Sequence, residues 1–369
     1  MKIIQAYPEV KFGDAISSIM LNIHEINKGQ RWSDTMIAYY SEYPEVKQVG
    51  FSDRKPRDLL IKFIERPNKL KNIRAYLNSS KSSTWDYKKA LEEADIRIWH
   101  MGTTYKLMEH NIRKGDFIFF YGLNYPYLSS SPESIIDSYK ALQWLRSLQP
   151  KMVVESYSVK NELLRLGWKE EEIKILPLFH KYNQYNLSYI GCQVGSPHLI
   201  AWGRYALNKR VPEIAEICSK ENLSFTAFGD NSTYVEFADE YSKATKYSSD
   251  KIKLYSKLDS IEKENKINAA NIYICNSENE GFNMPLIEAE AHSLPVLARR
   301  GTAMDELVKD GYNGYLFNDI NEVPELINKI MKNYKEMSYN AWKHSQNYTY
   351  ERFKQNYLKI LKEYKRGIK

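Results

Sequence analysis

Short apolar runs alternate with amphipathic stretches along the first 180 residues. Lys2 to Pro8, "KIIQAYP", reads as a strand. "FGDAISS" then turns at a glycine into a helix from Ala15 to about Asn27, with Ile16, Ile19, Met20 and Ile23 on its apolar stripe. The runs "MIAYY", "IRIWH", "FIFFYG", "MVVESYS" and "IKILPL" follow, and each ends near Gly, Ser, Asn or Pro. Such alternation predicts βα units and a mostly parallel sheet. His180 to Pro197 has no period and many Asn, Gly and Tyr, so it reads as a linker. A second series begins at "HLIAWGR" and continues through "SFTAFGD", "KIKLYSK", "NIYICNS", "PVLAR" and "NGYLF", before a final helix in "TYERFKQNYLKILKEYKRG". The fold class is therefore α/β: two doubly wound, Rossmann-like domains, with ligand expected at the carboxyl ends of the strands in a cleft between them.

The length of 369 residues suits two domains. With 43% hydrophobic and 27% charged residues the composition is that of a soluble globular protein, and no apolar run reaches the length of a membrane span. Cys192, Cys218 and Cys275 lack metal or redox spacing and read as reduced core thiols in a cytoplasmic protein. The net charge of +7 is modest, yet Arg54 to Lys89 holds eleven Lys/Arg against three Asp/Glu. That excess reads either as a solvated face or as a surface for an anionic neighbour.

The densest chemistry lies in "NSENEGFNMPLIEAEAHSLPV", Asn276 to Val296. An apolar strand stops at Asn276, and "ENEGFNM" is the loop into a helix whose first turn accommodates Pro285. Gly281, Phe282, Asn283 and Met284 thus bring backbone N–H groups to a helix N-terminus, a place for phosphate. Glu280 sits on that loop, and Glu288 lies about one turn into the helix, where a carboxylate can accept from vicinal hydroxyls of a ribose or hexose. "LIAWGRYALNKR" adds Gly203, Arg204 and Lys209 after another strand. Alone, these read as surface cations flanking a helix start; together with the first loop they can neutralise a diphosphate without a metal. No Asp-x-Asp and no cluster with ligand spacing calls for a divalent ion. "FGDAIS" lacks the Gly-x-Gly-x-x-Gly fingerprint, which argues against a dehydrogenase.

These residues resemble the nucleotide-sugar-dependent glycosyltransferases of family 4, which have the GT-B fold and retain anomeric configuration. The family's Glu-x7-Glu element stands as "EGFNMPLIE", its Gly-Arg…Lys loop as "GRYALNK", and a further element as "KDGYNGYLF", Lys309 to Phe317. The likeness is specific over about residues 150 to 360 and looser before that. "FGDAISS" resembles the family's first glycine loop, carrying Gly13 and Asp14, and "DIRIWHMG" places His100 on its active-site histidine. Without the resemblance His100 reads as a core histidine closing a strand. Tyr121 stands where many relatives have histidine, and Gly301-Thr302 replaces the commoner Gly-Gly pair.

The resemblance implies an acceptor-binding domain over residues 1–185, a nucleotide-sugar-binding domain over 186–349, and a helix at 350–369 that returns to the first. It implies a hexose donated by a UDP- or GDP-sugar to a glycan or lipid-linked acceptor, with no cofactor, no metal and no nucleic-acid partner, in cell-surface polysaccharide synthesis. Arg204, Lys209 and the N–H groups near Asn283 and Met284 would stabilise the departing diphosphate. Glu280 and His100 would hold the donor sugar, Glu288 the ribose, and the backbone at Lys257 and Leu258 the base. The diphosphate itself can take the acceptor's proton. A nucleotide-sugar epimerase of the same architecture and a non-catalytic sugar-binding protein are the alternatives. Intact Arg204, Lys209, Glu280 and Glu288 argue against the second.

Within residues 54–89, Phe63, Ile64, Leu70 and Trp85 interleave with the cations, a pattern suited to an anionic membrane face at the cytoplasmic side or to a phosphate-bearing lipid acceptor. Each engaged Lys or Arg contributes about 1 kcal/mol there. In liposome co-sedimentation, anionic vesicles should bind more protein than neutral ones. Binding should weaken with salt and drop when Lys62, Arg66, Lys69 and Lys71 are changed to Glu. Equal binding to both vesicle types at low salt refutes the membrane expectation.

Overall fold

In a computed structural model, each apolar run named above becomes a strand of one of two parallel sheets. The structure describes residues 1–6, 9–10, 15–38, 40–41, 43, 46–48, 87–101, 112–121, 140, 142–182, 197–233, 235–301 and 303–367. Gly13, Asp14, Cys192, Thr302 and all of the basic segment before Tyr87 lie outside the described residues. Packing divides the chain into two units, one of Met1–Val154 with Lys160–Ile175, the other of Glu155–Val159 with Leu176–Lys369.

The first unit holds β1 (Lys2–Ala6), β2 (Glu9–Val10), β3 (Ser33–Ala38), β4 (Tyr40–Ser41), β5 (Lys47–Gln48), β6 (Ile96–Met101), β7 (Phe117–Phe120), β8 (Lys151–Val154) and β9 (Ile173–Ile175). Its main sheet runs β5-β3-β1-β6-β7-β8-β9, and β2 pairs with β4 alone. The strand order reverses between β1 and β6, which pair in register Gln5 to Ile98. The helix Ala15–Gly29 buries Ile19, Met20 and Ile23, as its period requires. A buried ion pair joins the start of β6 to the residue before β7: Arg97 Nε and Nη2 donate to Asp116 Oδ1 at 2.8 and 2.5 Å, and Trp99 Nε1 donates to Oδ2 at 2.8 Å.

The second unit's sheet comprises β10 (His198–Trp202), β11 (Ser224–Phe228), β12 (Ile252–Tyr255), β13 (Ile272–Cys275), β14 (Val296–Arg299) and β15 (Gly314–Phe317), in the order β12-β11-β10-β13-β14-β15. Successive strand residues face opposite helical layers. Leu199, Ile272 and Ile274 pack with Phe225, Phe237 and Ile330. Ile200, Tyr273 and Cys275 pack on the other side with Leu286, Ile287 and Met304. Burial on both faces explains why these strands read as continuous apolar runs. Cys218 and Cys275 are buried free thiols, and burial pushes Cys218 up to about 12.

A buried polar knot locks the "DGYNG" turn. Asn313 Nδ2 donates to Glu290 Oε1 at 2.5 Å and to the Leu307 carbonyl at 2.8 Å, its Oδ1 accepts from Lys309 N at 2.7 Å, and His344 Nδ1 lies 2.8 Å from Glu290 Oε2. The knot ties the helices Met284–Ala291 and Tyr334–Ser345 to the loop entering β15. The last helix, Tyr350–Gly367, belongs by packing to the second unit, where Phe353 meets Phe179 at 4.6 Å between ring centroids. No helix among the described residues is long and apolar enough to cross a membrane.

The ends of β10 and β11 touch backbone to backbone. Gly203 N donates to the Phe228 carbonyl at 3.1 Å, and a Cβ on Gly229 would lie 1.4 Å from the Gly203 carbonyl oxygen. Gly203 itself sits at φ 137°, open only to glycine. Gly229→Ala must therefore displace one strand end, at a cost of about 3 kcal/mol. Thermal unfolding should show its midpoint lowered by roughly 5–10 °C. An unchanged midpoint would contradict the close approach.

Candidate active site

The strand order of the second sheet reverses between β10 and β13, and ligands of doubly wound sheets bind where such a reversal parts the outgoing loops. A pocket opens there, at the carboxyl ends of the two strands, lined among others by Trp202, Gly203, Arg204, Lys209, Tyr273 and Asn276. The two loops are laced together. Arg210, left-handed at φ 51°, donates from Nε to Glu213 Oε1 at 2.5 Å and from Nη1 to Glu278 Oε1 at 2.6 Å. Asn276 Nδ2 donates to Glu213 Oε2 at 3.0 Å, and Arg299 Nη1 donates to Asn276 Oδ1 at 3.3 Å. Asn208 Nδ2 donates to the Asn279 carbonyl at 3.1 Å.

On this frame the expected residues come together. Lys209 is ion-paired with Glu280, the side chains 18% and 11% exposed. Arg204 is exposed and makes no side-chain hydrogen bond among the described residues. Its charge helps, after hydrogen bonds from Thr233 and Ser232, to hold the Asp230 carboxyl below its usual range against the upward push of burial. Asn283 is the N-cap of the helix Met284–Ala291: its Oδ1 accepts from Leu286 N at 3.0 Å, and its Nδ2 donates to Cys275 Sγ at 3.0 Å. That cap fixes Gly281, Phe282 and Met284 at the helix entrance, with Pro285 in the first turn.

Glu288 is the second carboxylate, one turn further. Its Oε2 accepts from Trp202 Nε1 at 3.1 Å and from Lys263 Nζ at 3.0 Å, while Oε1 accepts nothing among the described residues. Lys263 also lies 5.7 Å from the centre of the Trp202 ring. Nearby His292 is pushed down to about 4, first by burial and then by Lys263, so its ring is neutral near pH 7. Leu258, like Trp202 and Tyr255, packs against the adjoining apolar layer, and Lys257 is exposed.

His100 lies in the first unit, on β6 at that sheet's own order reversal. It is fully buried, with Nδ1 2.8 Å from Tyr121 Oη and Nε2 3.0 Å from Gln5 Oε1. Burial lowers it to about 3, so it is uncharged.

Sequence reading missed Trp202, Lys263, Gly229 and the lacing residues Arg210, Glu213 and Asn276. Trp202 had one visible signal, its place directly before Gly203-Arg204. Lys263 and Glu213 lie on helices whose charged faces look alike in one dimension, and only folding brings them to the carboxylate and the loop.

With this geometry in hand, the sequence model of the family described as glycosyl transferases group 1 matches residues 193–346. Among known proteins, a probable sucrose-phosphate synthase of Thermosipho melanesiensis is 32% identical over 93 residues, 25% of this chain and 22% of that protein. An uncharacterized glycosyltransferase of Methanocaldococcus jannaschii is 34% identical over 92 residues, 24% of this chain and 26% of that one. The alignments thus span about a quarter of each relative's length. Solved structures resemble the whole chain. Sucrose-phosphate synthase from Thermosynechococcus elongatus superposes with a TM-score of 0.72 at 15% identity, covering 98% of this chain and 99% of the other. HepE of Anabaena in complex with UDP-glucose gives 0.71 at 15% identity, covering 98% and 100%. These likenesses show the fold, which is GT-B: two doubly wound Rossmann-like units.

Proposed function

We propose that this chain is a retaining glycosyltransferase that moves a hexose from a UDP- or GDP-sugar to a glycan or lipid-linked acceptor, in cell-surface polysaccharide synthesis. One observation carries the reading. Two cations, two carboxylates and a capped helix N-terminus, all expected from sequence as donor-binding groups, meet at the carboxyl ends of β10 and β13. The group 1 match over the same unit supports it, as does the UDP-glucose held by a protein of this fold.

In this reading Arg204 and Lys209 face the diphosphate, whose charge grows as the glycosidic bond breaks. Lys209 then shares its proton donors between Glu280 and phosphate oxygens. Glu280, placed beside that lysine, holds donor-sugar hydroxyls near the anomeric carbon. Glu288 accepts from the ribose through Oε1, its Oε2 being held by Trp202 and Lys263. The chain supplies no separate base, because the departing diphosphate takes the acceptor's proton on the same face. The cations replace a metal in this scheme.

A thermal-shift panel of UDP-, GDP- and ADP-sugars tests the reading. A ligand at a hundred times its dissociation constant adds about 2.7 kcal/mol, and one base should give a clear response. No response to any donor rejects it. Turnover should persist in EDTA; loss that Mg²⁺ or Mn²⁺ restores would overturn the metal-free scheme.

Glu288→Ala should weaken binding of the free nucleoside diphosphate by about 1.5–3 kcal/mol, whereas Glu280→Ala should leave that affinity near wild type and lower the rate. Isothermal titration beside initial-rate kinetics separates the two. Equal loss of nucleotide affinity in both variants contradicts the division of roles.

A further inference from the structure

We propose that Trp202 and Lys263 make Glu288 a one-oxygen acceptor, so that the site reads a single ribose hydroxyl rather than the vicinal pair. The inference rests on the reading of Glu288 as the ribose contact. The geometry that limits the carboxylate belongs to the second unit alone.

An unengaged carboxylate offers two oxygens with about four lone-pair positions. Two vicinal hydroxyls are matched best when each meets its own oxygen. Here Oε2 is already filled: Trp202 Nε1 donates to it at 3.1 Å and Lys263 Nζ at 3.0 Å, one donor for each lone pair. Oε1 accepts nothing among the described residues, and the side chain is only partly buried, so Oε1 is the oxygen left to a ligand. Neighbouring ribose hydroxyls lie too close together to meet the diverging lone pairs of one oxygen, which therefore takes one well-aligned hydrogen. The second hydroxyl donates to water instead.

Both donors are held in place. Trp202 ends β10 and lines the pocket at the carboxyl ends of the strands. Its ring lies parallel to Phe228, 5.9 Å between centres, and meets Tyr273 edge-on at 4.9 Å. Turning the indole away from Glu288 would break both contacts. Lys263 stands in the first turn of the helix Ser260–Asn268, which starts shortly after β12. A capping box fixes that start: Asp259 Oδ1 accepts from Ile261 N at 2.9 Å and Glu262 N at 2.8 Å, while Glu262 Oε2 accepts from Asp259 N at 3.2 Å. From there the ammonium reaches Glu288 and lies over the face of Trp202. A charged donor bonds a carboxylate more strongly than a neutral hydroxyl does, so a ribose does not displace Lys263 from Oε2.

Isothermal titration of the full chain with UDP and GDP identifies the diphosphate that binds. Its 2′-deoxy and 3′-deoxy forms then remove the hydroxyls one at a time. The expected result is asymmetric: one deoxy form binds roughly tenfold more weakly, and the other stays within about twofold of the parent. Equal weakening of both overturns the proposal, because Glu288 would then hold the pair. Lys263→Met opens one lone pair on Oε2, and Trp202→Phe opens the other. In each variant the second hydroxyl gains an acceptor, so the deoxy form that wild type tolerates should bind roughly tenfold more weakly than the parent diphosphate does to the same variant. A merely structural disturbance weakens all three compounds alike and keeps the wild-type pattern; that pattern in both variants overturns the proposal. Wild type that binds the diphosphate and tolerates both deoxy forms rejects Glu288 as the ribose contact, and the inference with it. Wild type silent to UDP and GDP rejects the nucleotide reading itself.

Discussion

The reversal of strand order between β10 and β13 is the constraint from which the candidate site follows. Parallel neighbours on either side of this point send their connecting helices to opposite faces, so the loops leaving the two strands part and leave a crevice at their carboxyl ends. The loop after β10 carries Gly203, Arg204 and Lys209; the loop after β13 carries Glu280 and Asn283. Seventy-one positions apart in sequence, Lys209 and Glu280 meet because adjacent strands deliver them to one rim. The lacing of Arg210, Glu213, Asn276 and Glu278 then holds the rim in one arrangement, and the contact of Gly203 with Gly229 fixes the direction in which the first loop leaves its strand.

Lys209 and Lys263 at this rim are paired but not sealed. Lys263 and Glu288 keep 30% and 19% of their side-chain surface in solvent, and Lys209 and Glu280 somewhat less. Pairs that keep such contact with water are worth less than sealed ones, because the solvent screens part of the attraction. A fully buried pair would resist rearrangement, since breaking it strands a charge at a cost of about 3–5 kcal/mol. Arg97 on β6, with Asp116 just before β7, is of that second kind, 8% and 5% exposed. The contrast separates cations still in contact with water from one sealed into the packing.

Much of this was legible in one dimension. The apolar runs fixed every long strand, since parallel strands buried on both faces have no other way to read. The helix N-terminus announced itself through Asn283 and Pro285, whose roles are local and chemically narrow. What failed to show were contacts between distant stretches that carry no motif of their own. Gly229 looks like any glycine at a strand end until the Gly203 carbonyl is seen against it. Asn313 stood out only as part of a resemblance, and its work is to satisfy Glu290, 23 positions away. The short strands Glu9–Val10 and Tyr40–Ser41 carry too little pattern to register. His100 was placed correctly on its strand, yet its bond to Gln5, 95 residues earlier, leaves no mark in the sequence.

The two units differ in the kind of chemistry they present. In the second, the groups at the order reversal are ionic and partly solvated: Arg204, Lys209, Glu280, Glu288 and Lys263. In the first, the corresponding position holds a neutral imidazole and a phenol, with the ionisable Asp34 buried three groups back. A diphosphate leaving group requires cations that strengthen their hold as charge develops, which neutral dipoles do weakly. A sugar hydroxyl requires direction more than charge, and a rigid chain of hydrogen bonds with a fixed donor and a fixed acceptor at each link provides it. Burial holds that histidine below the range in which it would titrate, so the ring stays neutral inside its hydrogen bonds to Gln5 and Tyr121.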